Sequence, residues 1–533
     1  MVRKKRTSAR KTSEFDRFDS TSDDILQHIL SKLSAKSFAR SACVSRSWRR
    51  ICNAILFKPK LCCAISLEPI TEVAVEEVVE KVLSQPIKPQ FVIACFTMHY
   101  NLETVHHLVK GKFGSTVPVV TNLVEGVIGV ETQRNMFFEA TAEDVESYMM
   151  NQEEELYDDD ELPVLGVALI VGWLPDMKVE AIPLIRSLDK EPVRSRLSRF
   201  SRDIKNYAKS VSDLPPAAVI LFGDGDAAFS KRLFRMFDDV FNEETAIVGH
   251  VNGFFLHRSS EASRNVESND ERCCEAIALV FARNMNKPSG VGETRFHVPC
   301  MTCVTRVGPT FSVASVRENN SKSFILGTTR ENCGRLGGSK ILSLIHEMDE
   351  RSWFEELYVG VEKQEAAGSS SSSASMSLHA LKMDSCQDRL VVEGTGISIG
   401  DSFSLYRPDF TRGLTLRRDG GEQSKIRKEV FGGVVFVAPF EFAHGLSRED
   451  NEYSHPFLEQ FPEVALGGMF SKKVVKHGSI GSALKDDDAD DGNGDYESYK
   501  YCNPTKCHKT YKGTSFLIMS YSPPPATSSH GNS

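Results

Sequence analysis

The 533 residues carry 41% hydrophobic and 26% charged side chains and a net charge of −8, a globular composition that can bury a large core and fill two or three domains. The acidic balance argues against nucleic acid as the main partner, since phosphate binding needs a basic face. Neither an apolar run of about 18 residues nor an apolar stretch behind the first residues, MVRKKRTSARK, is present, so no membrane span or secretory leader is expected; the 13 irregularly spaced cysteines fit reduced thiols of the cytoplasm or nucleus, not a disulfide framework.

Residues 1–19 form a basic, unstructured tail in which Arg3, Lys4, Lys5, Arg6, Arg10 and Lys11 read either as a nuclear localisation signal or as a solvated terminus. Ser22 and Asp23 then offer an N-cap and first-turn negative charge to a helix in which Ile25, Leu26, Ile29, Leu30 and Leu33 recur at helical spacing. A second run, beginning at Phe38, carries Val44, Trp48 and Ile51 on one face. So small a helical unit is insecure alone, because domains below about 40 residues usually lean on disulfides, metals or a partner. Its apolar stripe predicts docking on another protein.

Asp24-Ile25-Leu26, Ile29-Leu30, Leu33, Cys43-Val44-Ser45 and Trp48-Arg49-Arg50-Ile51 fall in an order and spacing that resembles an F-box, over residues 20–60. The family has Leu-Pro before the first helix where this chain has Thr21-Ser22, which removes an apolar contact and a proline pre-set for the first turn, while Ser22 keeps the cap. The resemblance implies a Skp1-type adaptor as partner and, through it, a cullin-RING ubiquitin ligase. It assigns adaptor binding to Ile25, Leu26, Ile29, Leu30, Leu33, Val44, Trp48 and Ile51.

Beyond residue 89 the pattern is α/β. The wholly apolar run 91–96 reads as a buried strand, followed by a helix capped by Asn101 and ending near Gly111 and Gly114. Residues 117–120, 126–130 and 164–171 read as further strands. A βα unit follows: strand 217–222, the turn Gly223-Asp224-Gly225-Asp226, then a helix with Phe229, Leu233, Met236, Phe237 and Val240 on one face. Strands are expected at 246–248, 276–281, 296–307, 434–437 and 516–519, with Gly432-Gly433 and Gly467-Gly468 as joints. Charged and low-complexity punctuation falls at 153–161, in a Ser-rich linker at 368–376, in an acidic loop at 486–495 and in a disordered tail at 521–533.

Several segments of this region, FVIACF, PVVTNLVEGVIGVE, AAVILFGDGD, AIVGHVNGF, FGGVVFVAPF, PEVALGGMF and YKGTSFLIMSY, resemble the FIST domain (F-box and intracellular signal transduction), found behind F-boxes in eukaryotes and in bacterial sensory proteins. The chain thus resembles a plant-like F-box protein with a C-terminal FIST domain. The family's Gly-Glu-Ile-Gly-like closing element is represented only by Gly478-Ser479-Ile480-Gly481. The expected fold class is α+β or α/β: a small N-terminal all-α F-box, then a large mixed α/β region in two halves, 90–285 and 286–520, that folds without the F-box.

Chemistry-bearing motifs are sparse. Two aspartates in the turn after strand 217–222 would repel phosphate and are read as helix caps. Cys300 and Cys303 with His297, and Cys502 with Cys507 and His508, lack the second matched pair that a zinc site requires and are read as thiols without metal. No Gly-x-Ser-x-Gly elbow, His-Glu-x-x-His or Walker loop occurs, and no leucine-rich period of about 20–29 residues is found. The expectation is a non-catalytic receptor without cofactor or metal that captures an unidentified protein for ubiquitination. The alternative is a sensor of a small metabolite such as an amino acid, with Asn122, Gly126, Gly129 and Gly253 as ligand contacts at Gly-bearing strand ends.

Overall fold

In the computed structural model the described residues are 23–140, 166–185, 191–223, 232–233, 236–237, 240–241, 245–251, 253–257, 274–298, 304–319, 322–328, 334–348, 357–363, 375–384, 388–393, 397–408, 429–438, 453–476, 509–511 and 513–524. Ser22, the basic tail, both acidic runs, Asp224 to Asp226, Cys300, Cys303, Gly478 to Gly481, Cys502, Cys507 and His508 lie outside them.

The N-terminal head has three helices, Asp23–Leu30, Ala35–Ser41 and Arg46–Ile55. The expected second run is split, because Ser45 sits in extended backbone and its hydroxyl accepts the Trp48 N–H at 3.1 Å, starting a new helix. Leu26 and Leu30, one turn apart, close on Phe38, Ile51 and Cys52 as a small core, with Leu33, Trp48 and Ile55 half-buried around it. Among the described residues, three hydrogen bonds tie the head to the body. Ala35 N–H donates to the Leu83 carbonyl (2.9 Å), Trp173 Nε1 to that of Leu56 (2.7 Å) and the Tyr521 hydroxyl to that of Phe57 (3.2 Å).

The body is built from three sheets and a closed barrel. The first sheet runs Lys60–Ser66, Val167–Trp173, Phe91–Phe96, Val119–Leu123, Phe254–Leu256. Strand alternation gives it two apolar faces. Val92, Ala94 and Phe96 pack under the helices Thr71–Val82 and Leu102–Phe113, while Phe91, Ile93 and Cys95 turn toward the other two sheets.

The second sheet, ordered Lys509–Tyr511, Lys473–Lys476, Ala246–Val251, Ala218–Gly223, Cys274–Arg283, Met177–Ile185, presents Ile220, Phe222, Ile277 and Leu279 to the first. The helix Val193–Val211 covers its far side through Leu197, Phe200 and Ile204, joined by Leu233 and Phe237 of the helix expected after strand 217–222. The third sheet, ordered Glu293–His297, Gly513–Ser522, Val430–Ala438, Ala465–Phe470, Gly126–Val130, Phe137–Ala140, adds Val434, Phe436, Met469 and Leu517 to the shared core. Its outer face is closed by Phe457 and Phe461. Helices thus cover the outer faces of the three sheets, whose apolar inner faces share one core.

Six antiparallel strands close the barrel: Val304–Asn319, Lys322–Thr328, Arg389–Glu393, Ser375–Asp384, Tyr358–Lys363 and Ser402–Pro408. Ile341 and Ile345 of the helix Gly338–Met348 enter its core beside Phe311, Phe403 and Leu405.

Several expectations are corrected. The division at residue 285 is not a sheet boundary, since Gly126–Val130 pairs with Ala465–Phe470 and Lys473–Lys476 with Ala246–Val251. Nor does the body begin at residue 90: Lys60–Ser66 pairs along its whole length with Val167–Trp173, and Ala74, Val75, Val78, Val79 and Val82 of the next helix are buried. The Gly-rich joints lie inside strands, where a Cβ on Gly432 would stand 2.7 Å from Leu61 and one on Gly467 would stand 2.8 Å from Cys63 Sγ, so missing side chains let the first strand lie on the third sheet. Of the run expected at 296–307, Phe296 and His297 end a strand of the third sheet and Val304 begins a strand of the barrel. The Ser-rich segment separates no domains. Lys363 and Ser375, which bracket most of it, are paired neighbours in one barrel. The final strand runs through Ser522, beyond the expected start of the tail.

Gly249 has φ +146°, and a Cβ there would meet the Leu221 carbonyl oxygen at 1.9 Å. Backbone cannot yield as a side-chain tip can, so Gly249→Ala is expected to lower the unfolding free energy by about 3 kcal/mol or more. Urea denaturation of the two proteins checks this.

Candidate functional site

The candidate adaptor residues divide by exposure. Leu26, Leu30 and Ile51 are buried in the head's own core, with Leu33 and Trp48 half-buried against it. These five hold the head together, which corrects their reading as direct contacts for the buried three. Ile25, Ile29 and Val44 are 56%, 48% and 52% exposed. Ile25 and Ile29 lie one helical turn apart, offset by one residue, about 100° around the axis, from the inward Leu26 and Leu30, so the helix carries two neighbouring apolar stripes. One stripe makes the core and the other faces solvent. Arg50 pairs across the head with Asp23 at 2.8 Å, an exposed contact of small energetic weight.

The four candidate ligand residues also divide. Gly126 and Gly129 serve packing, because added Cβ atoms would stand 2.4 Å from the Ala140 carbonyl oxygen and 3.0 Å from Ile65. Asn122 and Gly253 meet elsewhere, around a residue the sequence reading did not single out, His250. The Asn122 Nδ2 lies 2.7 Å from His250 Nε2 and 3.4 Å from Met469 Sδ, and Cys95 Sγ is 3.7 Å from the same sulfur. Phe222 meets the imidazole edge to face at 5.6 Å between centroids, and Phe436 stacks on it at 6.5 Å.

Strand register explains this meeting. Each sheet contributes one parallel pair, and near the carboxyl ends of the three pairs Cys95 lies beside Asn122, Phe222 beside His250 and Phe436 beside Met469. All six are buried. An amide nitrogen only donates, so His250 Nε2 accepts and the ring proton is assigned to Nδ1. Among the described residues, His250 Nδ1 and Asn122 Oδ1 meet no hydrogen-bond partner. Burial also pushes the Cys95 thiol well above its usual range, so it is protonated. His297, of the dismissed zinc reading, is hydrogen-bonded to Ser520 Oγ at 2.8 Å.

Burial lowers the His250 pKa from 6.5 to about 4. Between these values the unfolded chain holds a proton that the folded chain does not, so the contribution to stability is complete above pH 6.5 and is lost as pH falls toward 4. The full swing is about 3 kcal/mol. Thermal midpoints between pH 7 and 4.5 are expected to fall more steeply for the natural chain than for Asn122→Leu/His250→Phe, which removes this titration and leaves that of His257 and His297.

Fold and site together define a class, a small helical docking head with an apolar outer face on a large mixed α/β body. The F-box domain family matches residues 22–60. An F-box/LRR-repeat protein of Arabidopsis thaliana is 33% identical over 486 residues, covering 87% of this chain and 87% of that protein. The chain belongs to the F-box protein family. Among the described residues its body contains the three sheets and barrel above and no stack of repeating parallel strands. No helix among them is long and apolar enough to cross a membrane.

Proposed function

We propose that the chain is the substrate-recognition subunit of an SCF-type cullin-RING ubiquitin ligase, acting in the cytoplasm or nucleus. The head docks on the Skp1-type adaptor, and the body, a FIST-like region, captures the protein to be ubiquitinated. The observation that carries this reading is the second apolar stripe of the head's first helix, with Ile25 and Ile29 in solvent inside an F-box match. Catalysis then belongs to the partners. The chain works by holding a substrate lysine near charged ubiquitin, which turns a bimolecular encounter into a nearly intramolecular one.

Affinity purification followed by mass spectrometry tests it, comparing the full chain with one beginning at residue 58. Adaptor and cullin are expected to vanish from the shorter sample while captured substrates remain. Adaptor and cullin recovered equally from both would contradict the reading.

A second reading, in which the body senses a small molecule that gates capture, is favoured by the His250 and Asn122 atoms that meet no partner among the described residues where the three parallel pairs end.

A further inference from the structure

The helix Val193–Val211 concentrates positive charge on a chain whose net charge is −8. Leu197, Phe200, Ile204 and Ala208 are buried on one side and seat it on the second sheet. At about 100° per residue, the exposed positions fill the opposite half of its circumference, from Arg194 round to Asp203. Arg194, Arg199, Arg202, Lys205 and Lys209 stand on this outer face, and Asp203 is the only acid in the helix. Arg196 turns inward instead, where Glu275 neutralises it at 2.8 Å.

The arrangement costs the helix stability. Its first turn holds arginines and no acidic residue, which opposes the positive end of the macrodipole. Like charges also meet about one turn apart, Arg199 with Arg202, Arg202 with Lys205 and Lys205 with Lys209, where opposite charges would stabilise. The helix Thr71–Val82, by contrast, has Glu72 in its first turn and Lys81 in its last. An anionic partner along the outer face of Val193–Val211 would relieve both costs.

The face has room for one. Arg194, Ser198 and Arg202, with Glu191 at the end, border an open depression of about 490 Å³. Its chemistry is shown by Glu191, whose two carboxylate oxygens accept from the two terminal nitrogens of Arg199 at 3.2 and 3.1 Å. Arginine forks suit carboxylates in this two-pronged way. Nineteen residues of helix span about 28 Å, the length of roughly eight or nine residues of extended peptide. A membrane surface or nucleic acid would be repelled by the chain's net negative charge, whereas a short segment meets only charges within a Debye length of about 8 Å.

We propose that the outer face of Val193–Val211 docks a short Glu- and Asp-rich segment of the captured protein, with Arg194 and Arg202 as its principal contacts. This rests on the capture role proposed above and gives the captured segment its chemistry.

The test measures fluorescence anisotropy of labelled decaglutamate, with decaserine as the uncharged control, against the full chain in about 0.1 M salt. Saturable binding of decaglutamate alone is expected, and it should fade as salt rises to about 0.5 M. Arg194→Glu/Arg202→Glu turns two attractive pairs repulsive and should bind at least about tenfold more weakly. Arg317→Glu/Arg335→Glu makes the same change in net charge at exposed positions of the barrel region and should bind as the natural chain does. Circular dichroism checks that both variants are folded. Equal weakening in both would reduce the effect to net charge and overturn the assignment to this helix. Tighter binding of phosphatidylserine vesicles or oligouridylate than of decaglutamate would overturn the partner class, and binding seen only after deletion of residues 486–495 would give the face to the chain's own acidic run. The adaptor is titrated in parallel: silence from decaglutamate with adaptor binding intact overturns this proposal alone, whereas absence of adaptor binding overturns the ligase reading.

Discussion

A chain beginning at residue 90 is expected to be recovered unfolded or aggregated, whereas one beginning at residue 58 folds. The shorter chain lacks the strand Lys60–Ser66, with Leu61 and Ile65 in the core shared by the three sheets, and the helix Thr71–Val82, with Val75, Val78, Val79 and Val82 under the first sheet. At about 1.5 kcal/mol or more for each of these six buried side chains, the loss approaches 10 kcal/mol, comparable to the whole stability of an ordinary domain, about 5–15 kcal/mol. It also bares the edge of Val167–Trp173 as a template for aggregation. Removal of residues 1–57 deletes the head and its bonds through Ala35, Leu56 and Phe57 but no strand of any sheet. Circular dichroism and gel filtration of the two fragments separate these outcomes, and a folded, monodisperse 90–533 fragment would show the first strand and helix to be dispensable.

Leu30→Asp and Ile29→Asp, one residue apart, are expected to fail in different ways. Leu30 is wholly buried, so a carboxylate there leaves a cavity and an unpaired charge in a core of a few side chains, a loss of about 4 kcal/mol or more. The head should unfold while the body keeps its melting transition. Ile29 is 48% exposed, and the same change there should leave the head folded. In complex with an adaptor, however, that side chain is expected to be covered. Its lost burial of about 1.5–3 kcal/mol, together with a desolvated charge, should then abolish most of the binding. Amide exchange across residues 23–55 distinguishes a melted head from a folded one that no longer docks.

The elements most legible in the sequence were those whose periodicity and punctuation agree. The apolar strand 91–96, the Asn101 cap and the helix stripe through Leu233 and Phe237 occur as expected, since each is decided by neighbours in sequence. The head was legible from its spacing, yet the spacing could not say which side of the first helix faces inward: Ile25 and Leu26 are equally apolar, and only the positions of Phe38 and Ile51 decide between them. The barrel was missed because its closure depends on pairing between remote segments, such as Val304–Asn319 with Ser402–Pro408. For the same reason the two expected halves proved interleaved, with strands near residues 126 and 468 hydrogen-bonded to each other. His250 was hidden for a related cause. Within the run AIVGHVNGF it is one polar residue near a strand end, and its meaning comes from Asn122 and Met469, brought beside it by different sheets.

Direct titration of the purified full chain with a Skp1-type adaptor, by calorimetry or surface binding, bears most closely on the proposed role in a ubiquitin ligase. Saturable binding is expected for the natural chain. For Ile29→Asp/Val44→Asp the combined loss of apolar contact and the desolvation of two carboxylates should exceed about 4 kcal/mol, a weakening of roughly a thousandfold or more. Lys36→Ala, at an exposed position of the second helix, should bind as the natural chain does. No binding by the natural chain, or undiminished binding by an Ile29→Asp/Val44→Asp variant shown to be folded, would contradict the exposed face of the head as the docking surface and, with it, the ligase role.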